Sequence, residues 1–211
     1  LRHSLLEDRK DKTQRVVEVA ASLIQSYVDL DVQGKMPRDI AQKQALQVVK
    51  LLRYEGENYF WINDMVPNMV MHPLKPELDG TNLSEKADPN GKKLFVEFVK
   101  KVEKEGAGFV DYMWPKPGKD PNISYPKISY VYGVKEWGWV IGSGIYVDDV
   151  DHVFHQELIK TILISLFLFV VLFGLSYFIA SNISAPLALI AKEMMKLGEG
   201  SRITNLGVSR K

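Results

Sequence analysis

Lys127 is the residue in this sequence best suited to hold a small anion. It stands between Tyr125-Pro126 and Ile128-Ser129-Tyr130, at the start of a strand-like run. A lysine ammonium is a compact charge that can fix a ligand carboxylate. A lysine at a strand end is also ordinarily solvated, and spacing alone does not separate the two readings. His72 follows an apolar run and precedes Pro73. It is either a structural hydrogen bonder or a pocket donor whose charge reports pH. Trp61 lies two residues from both Tyr59 and Asn63, so on a strand these three share a face. That makes Trp61 core or pocket wall. Tyr112 and Trp114 share a face of another strand, as do Tyr130 and Tyr132. A tyrosine hydroxyl can donate to a carboxylate while its ring excludes water. The candidate ligand-binding set is therefore Trp61, His72, Tyr112, Trp114, Lys127 and Tyr130.

Other chemistries find little support. Asp148, Asp149 and Asp151 form an acidic cluster, read here as a solvated linker rather than a metal site. His152 and His155 have helical spacing, but a zinc site needs further ligands that the sequence does not supply at matching positions. Nothing resembles a nucleophile elbow or a phosphate-binding loop. The absence of cysteine removes disulfides, thiolate nucleophiles and Cys-based metal sites. Basic and acidic residues number 27 and 26, which gives no global field to attract nucleic acid. No catalytic residue, metal or cofactor is expected, and the chain is not read as an enzyme.

The elements that must position the candidates follow from periodicity. Residues 1–30 read as one long helix, charged in its first half. Its second half places Val16, Val17, Ala20, Leu23, Ile24, Tyr27 and Val28 on one face. A second helix over 40–52 has Ala41, Ala45, Val48, Val49 and Leu52 on one face. The run Tyr59, Phe60, Trp61 and Ile62 is typical of a strand, and Met69 to His72 forms the next. A helix over 92–105 is expected to end at Gly106 and Gly108. Strands over 109–114, 127–134 and 137–147 follow, the last two as a hairpin turning at Lys135-Glu136. Gly138, Gly142 and Gly144 mark a bend or a close backbone approach in the last strand. This order predicts an α+β domain: an antiparallel sheet with helices on one side or end.

Residues 161–180 carry no charge and are apolar all round a helix. About 20 such residues at about 1.5 Å rise span roughly 30 Å, the thickness of a bilayer's hydrocarbon core. After this stretch, Lys192, Lys196, Arg202, Arg210 and Lys211 face only Glu193 and Glu199. Before it, Asp148, Asp149, Asp151 and Glu157 surround Lys160. The basic excess places the C-terminal side in the cytoplasm and the large domain outside the membrane. An exported domain needs a segment upstream, so a first membrane helix is expected before Leu1. No glycine or proline interrupts 148–160, so movement of the last strand would pass directly into the span.

The segments YFWIND, MHPLKPELDGTNL, DPNGKKLFVEFV, GFVDYMWPKPG and YPKISYVYGVKEWGWVIGSGIY resemble, in that order, the single Cache domain of bacterial chemoreceptors and sensor kinases, specifically its second subtype. With the two leading helices the resemblance covers roughly residues 5–150. It implies a long N-terminal helix packed on a PAS-like antiparallel sheet, in a periplasmic domain flanked by two membrane helices. It also implies small ligands, often short carboxylates such as acetate, propionate, lactate or pyruvate, with a lysine recurring at the place of Lys127. The segment ISAPLALIAKEMMKLGEGSR resembles the first helix of a HAMP linker. In it Ile183, Leu187, Ile190, Met194 and Leu197 fall near the heptad spacing of a parallel coiled coil.

The expected organisation is an extracytoplasmic ligand-binding domain over 1–150, a linker over 151–160, a membrane helix over 161–180 and a partial HAMP domain over 181–211. The expected function is a transmembrane chemoreceptor of the bacterial inner membrane. It would bind a small organic acid, act as a homodimer and signal to cytoplasmic proteins through an output module beyond this sequence. Alternatives are a sensor histidine kinase input, an aromatic cage for an alkylammonium ligand, and a membrane-tethered domain that binds a partner protein.

Overall fold

The computed structural model describes residues 2–205. Leu1 and residues 206–211 lie outside the described residues, so the last part of the expected HAMP segment, with Arg210 and Lys211, lies outside them. The chain divides into two compact units, Leu1–His155 and Gln156–Lys211.

The first unit is built on one sheet. Helix α1 (Arg2–Val32) buries Thr13, Val17, Ala20, Ala21, Ile24 and Val28. These recur at three- and four-residue intervals, which makes one stripe on a helix. Helix α2 (Arg38–Leu51) adds Ala41, Ala45 and Val49. Strands β1 (Trp61–Asp64), β2 (Met69–Met71), β3 (Ala107–Pro115), β4 (Ser124–Val134) and β5 (Trp139–Tyr146) form an antiparallel sheet in the order β2-β1-β5-β4-β3. The expected α+β architecture, with a long N-terminal helix on an antiparallel sheet, is what the chain adopts.

Strand periodicity divides the core in two. Phe60, Ile62, Met71, Tyr130, Val134, Trp137, Trp139 and Ile141 pack with the stripes of α1 and α2. Trp61, Met69, Val110, Tyr112, Trp114, Val131 and Val140 pack instead with α3 (Leu94–Glu105), which buries Leu94, Phe95, Phe98, Val99 and Val102. Helices therefore cover both faces of the sheet, where the sequence pattern led us to expect one side or end. The apolar stripe of α3 has to be buried somewhere, and the face opposite α1 is rich in aromatics that need cover. Gly106 closes α3 with φ 78°, a left-handed conformation natural to glycine. Gly108 belongs to β3 rather than to the helix end.

Within β5, the glycines mark close approach. A β-carbon on Gly142 would lie 2.4 Å from the Trp61 ring. One on Gly144 would lie 2.0 Å from the Ser129 hydroxyl and 2.5 Å from the Ile128 carbonyl oxygen. The indole of Trp61 thus fills the space beside Gly142 on its strand neighbour, because no side chain projects there.

Helix α4 (Val147–Ile179) begins immediately after β5. In the second unit, every large apolar side chain from Ile159 to Ile179 is exposed. Such a surface calls for an apolar solvent, and the helix fits a membrane span. A π-helical turn (Ala180–Ser184) separates it from α5 (Ala185–Asn205). Pro186 accounts for the turn, since its ring clashes with the carbonyl one turn back and it donates no hydrogen bond.

Gly144→Ala is expected to destabilise the first unit by about 1–3 kcal/mol, because the clash involves rigid backbone. Urea unfolding followed by tryptophan fluorescence measures it.

Candidate functional site

Lys127 occupies the middle of a row across three strands. It pairs with Tyr112 on β3 and with Tyr146 on β5. Directly opposite residues in an antiparallel sheet point to the same face, so these three side chains stand together beneath α3. Tyr59 and Trp61 come from the segment entering β1, and His72 from the end of β2.

Lys127 is 2% exposed. Among the described residues its one hydrogen-bond partner is the Tyr59 hydroxyl, at 3.2 Å. Its ammonium lies 4.5 Å from the Tyr59 ring centre, 4.8 Å from that of Tyr146 and 5.7 Å from that of Trp61. Ring faces attract a cation, which offsets part of the lost hydration. No described carboxylate neutralises the charge, and burial pushes the lysine's pKa down to about 7.

Against the same Tyr59 and Trp61 rings sits a small cavity of about 10 Å³, lined by Tyr59, Trp61, His72, Leu94, Phe95, Phe98, Tyr112 and Trp114. Its volume is close to what a single water requires. Lys127 abuts it through Tyr59 and Trp61. His72 contributes a neutral imidazole. Its Nδ1 accepts hydrogen bonds from the backbone N–H groups of Leu74 (3.2 Å) and Lys75 (3.0 Å). The ring proton therefore resides on Nε2, which leaves a neutral donor. Burial, then the charges of Lys127 and Lys75, lower the His72 pKa to about 3. His72 thus serves both roles weighed from the sequence: one nitrogen orders the loop after β2, and the ring lines the cavity.

The tyrosines are un-ionised donors. Burial raises the Tyr59 pKa to about 12 and holds that of Tyr112 well above its ordinary value. The Tyr112 hydroxyl lies 2.9 Å from the Ser129 hydroxyl, and that of Tyr146 donates to the Pro115 carbonyl at 2.7 Å. A cationic lysine, neutral phenols and a neutral imidazole in a water-excluding aromatic shell form a site for a small anion with an apolar tail.

Five of the six expected residues come together here: Trp61, His72, Tyr112, Trp114 and Lys127. Tyr130 does not. It is three residues from Lys127 on a strand of period two, so it faces α1 and packs on Phe109 at 4.9 Å between ring centres. Sequence reasoning omitted Tyr59 and Tyr146. Tyr59 shares the face of Trp61, so its signal was present. Tyr146 meets Lys127 only through the β4–β5 register, which the sequence does not display.

The acidic cluster departs from expectation in part. Lys116 holds Asp148 at 2.9 Å and Asp149 at 2.5 Å, and Arg2 holds Asp151 at 2.5 Å. The aspartates are solvated, as expected, but each is also ion-paired to the domain.

Residues 1–167 match the family model described as "dCache_2: Cache domain". The chain is 40% identical over 196 residues to the methyl-accepting chemotaxis protein McpP of Pseudomonas putida, covering 93% of this chain and 36% of that protein. It is 29% identical over 147 residues to the sensor histidine kinase MctS of Rhizobium johnstonii, covering 70% and 31%. The chain thus spans about a third of the length of these curated relatives. A solved structure described as "Periplasmic sensor domain of chemotaxis protein" is 48% identical, with a TM-score of 0.66, covering 67% of this chain and 97% of that one. Another, described as "Structural basis for carboxylic acid recognition by a Cache chemosensory domain", is 44% identical with a TM-score of 0.65, covering 70% and 99%.

The Lys127 charge makes a prediction about stability. Its pKa is near 10.5 unfolded and about 7 folded. The unfolded chain therefore binds the extra proton between those values, and this group's contribution to stability rises with pH across that window. Below about pH 7 the penalty is fully present. Lys127→Met is expected to stabilise the ligand-free protein at pH 7, and to flatten the rise between pH 7 and 10. Chemical denaturation of both forms across that range measures it.

Proposed function

From the premise that this chain belongs to the Cache domain family, we propose that it is the sensing part of a transmembrane chemoreceptor for a small organic acid of the acetate, propionate, lactate or pyruvate type. The observation that carries the reading is the buried Lys127 ammonium with no carboxylate partner. A ligand carboxylate would supply the missing counter-charge, and the Tyr59, Tyr112 and His72 donors stand around the same cavity. The aromatic walls then favour a short apolar tail, and a cavity of water size has to open to admit it. The same ammonium disfavours an alkylammonium ligand, because like charges repel.

The proposed organisation is a ligand-binding domain over 1–150, a linker over 151–160, a membrane helix over 161–180 and the beginning of a HAMP domain over 181–211. The C-terminal side lies in the cytoplasm. The receptor is a homodimer, a reading supported by the exposed Leu187, Ile190, Met194 and Leu197 at near-heptad spacing on α5. Chemotaxis is the proposed output, following the 40% identical relative.

A thermal-shift titration tests the ligand class. Acetate, propionate, lactate and pyruvate are added to the chain in neutral detergent, with ethylammonium as the contrasting probe. At least one carboxylate is expected to raise the melting temperature with concentration, and Lys127→Met to abolish the shift. Unshifted melting with every carboxylate would remove the proposal.

Binding should also report the lysine's titration. Anion binding favours the protonated form, so affinity is expected to be constant below about pH 7 and to fall as much as tenfold per unit above it. Isothermal titration calorimetry in buffers of different ionisation enthalpy is expected to show proton uptake on binding at pH 8. His72, neutral throughout this range, contributes nothing to the slope.

A further inference from the structure

The inner cavity holds only about 10 Å³ and Lys127 is buried, so a ligand must have a way in. Two hollows border the site from outside. The first, of about 370 Å³, is lined among others by Lys75, Lys86, Leu94 and Trp114. Leu94 and Trp114 also line the inner cavity, so they form the partition between the two spaces. The Lys75 ammonium lies 5.3 Å from the Trp114 ring centre and that of Lys86 5.9 Å. Neither lysine is ion-paired among the described residues. The one acidic side chain lining this hollow, Asp88, is turned inward. It accepts backbone N–H groups from Asn90, Lys92 and Met113, each at 2.9 Å.

The second hollow, of about 460 Å³, is bordered by Lys92, Asp111, Met113, Pro126 and Lys127. Its outer lysine is compensated, because Lys92 is held by Asp111 at 3.1 Å and donates to the Asp111 backbone carbonyl, which leaves Lys127 as its unpaired cation. An anion is drawn along a gradient of positive potential, and the first hollow presents two unpaired cations outside a thin aromatic wall with a third within, whereas the second presents Lys127 alone.

We propose that Lys75 and Lys86 form an anion-collecting vestibule and that Trp114 is the gate between it and the Lys127 site. The inference rests on the carboxylate reading above and adds an entry route and a rate-determining pair of residues to it. Lys75 and Lys86 act on encounter rather than on the bound state. Their removal is therefore expected in the association rate, with the dissociation rate unaltered.

Stopped-flow tryptophan fluorescence on the chain in neutral detergent tests this, with acetate and propionate as probes. The Lys75→Gln/Lys86→Gln double variant is compared with Lys92→Gln, which removes the cation of the other hollow. A Lys43→Gln/Lys50→Gln variant on α2 matches the net charge change at a distance. In the vestibule variant, association is expected to slow roughly tenfold at low salt, and to converge on the parent rate near 1 M salt as screening removes the field. Dissociation stays unchanged, which also shows that the site remains folded. The two control variants bind at the parent rate. Unchanged association in the vestibule variant overturns the proposal, as does slowing in Lys92→Gln alone. Failure of the parent chain to bind either probe, or lactate and pyruvate, removes the carboxylate reading itself and with it the vestibule, and this outcome is distinct from slow but intact binding.

Discussion

The structure of the sensing unit turns on one unneutralised charge. A lysine ammonium that is 2% exposed, with a phenol as its single hydrogen-bond partner, is an unfavourable thing to bury. Its surroundings read as partial remedies. Three aromatic faces lie within 6 Å, and Tyr59 offers an oxygen. None of these cancels the charge, as the pKa depressed to about 7 records. Replacing such a group by an apolar one of similar shape commonly stabilises a protein. Under the proposed function, a lysine persists here because the binding energy of an anion depends on the same deficit.

The fold supplies a rigid frame for that deficit by separating tasks between the two faces of one sheet. The face under α1 and α2 is ordinary core, with aliphatic and aromatic side chains meeting helical stripes. Trp137 staples the frame, since its indole N–H donates to Asp31 at the end of α1, at 2.9 Å. That hydrogen bond, with the guanidinium of Arg38 adding to it, holds the Asp31 carboxyl below its usual range. The other face carries the polar side chains, and α3 seals it with phenylalanines. Phe95 and Phe98 meet edge-on at 5.4 Å, and Phe98 meets Tyr112 edge-on at 5.1 Å. The roof is therefore built of the same aromatic contacts as the walls.

Much of this was legible before any coordinates. Alternation placed Tyr59 with Trp61 and Tyr112 with Trp114, because the period of a strand is two whatever it packs against. The same rule excluded Tyr130 from the face of Lys127, and applying it there would have dropped that candidate. What the sequence did not display were the quantities set between strands. Tyr146 meets Lys127 through register alone. The burial of Lys127 depends on α3 crossing the face opposite α1, a tertiary choice that the apolar stripe permits without dictating. The aspartates after β5 looked unpaired because their partners, Lys116 and Arg2, lie more than 30 and nearly 150 residues away.

Those aspartates bear on how an occupied site would differ from an empty one. Tyr146 is the last residue of β5, and its ring packs on the Lys127 ammonium. Its hydroxyl holds the Pro115 carbonyl, and the next residue, Lys116, grips Asp148 and Asp149 in the first turn of α4. A ligand shifts such a network only by as much as it favours one arrangement over another. Neutralising the ammonium would weaken its pull on the Tyr146 ring, which also lies 5.4 Å from the Lys116 ammonium. Under the proposed function, the arrangement that would distinguish bound from free centres on Tyr146, where the β5 backbone becomes the helix. A rotation of that ring acts on the Pro115 carbonyl through a 2.7 Å hydrogen bond and on the start of α4 through the next peptide. Under the proposed function, sensing and transmission would thus share a side chain, and the differential affinity that signalling demands would originate in the relief of one buried charge.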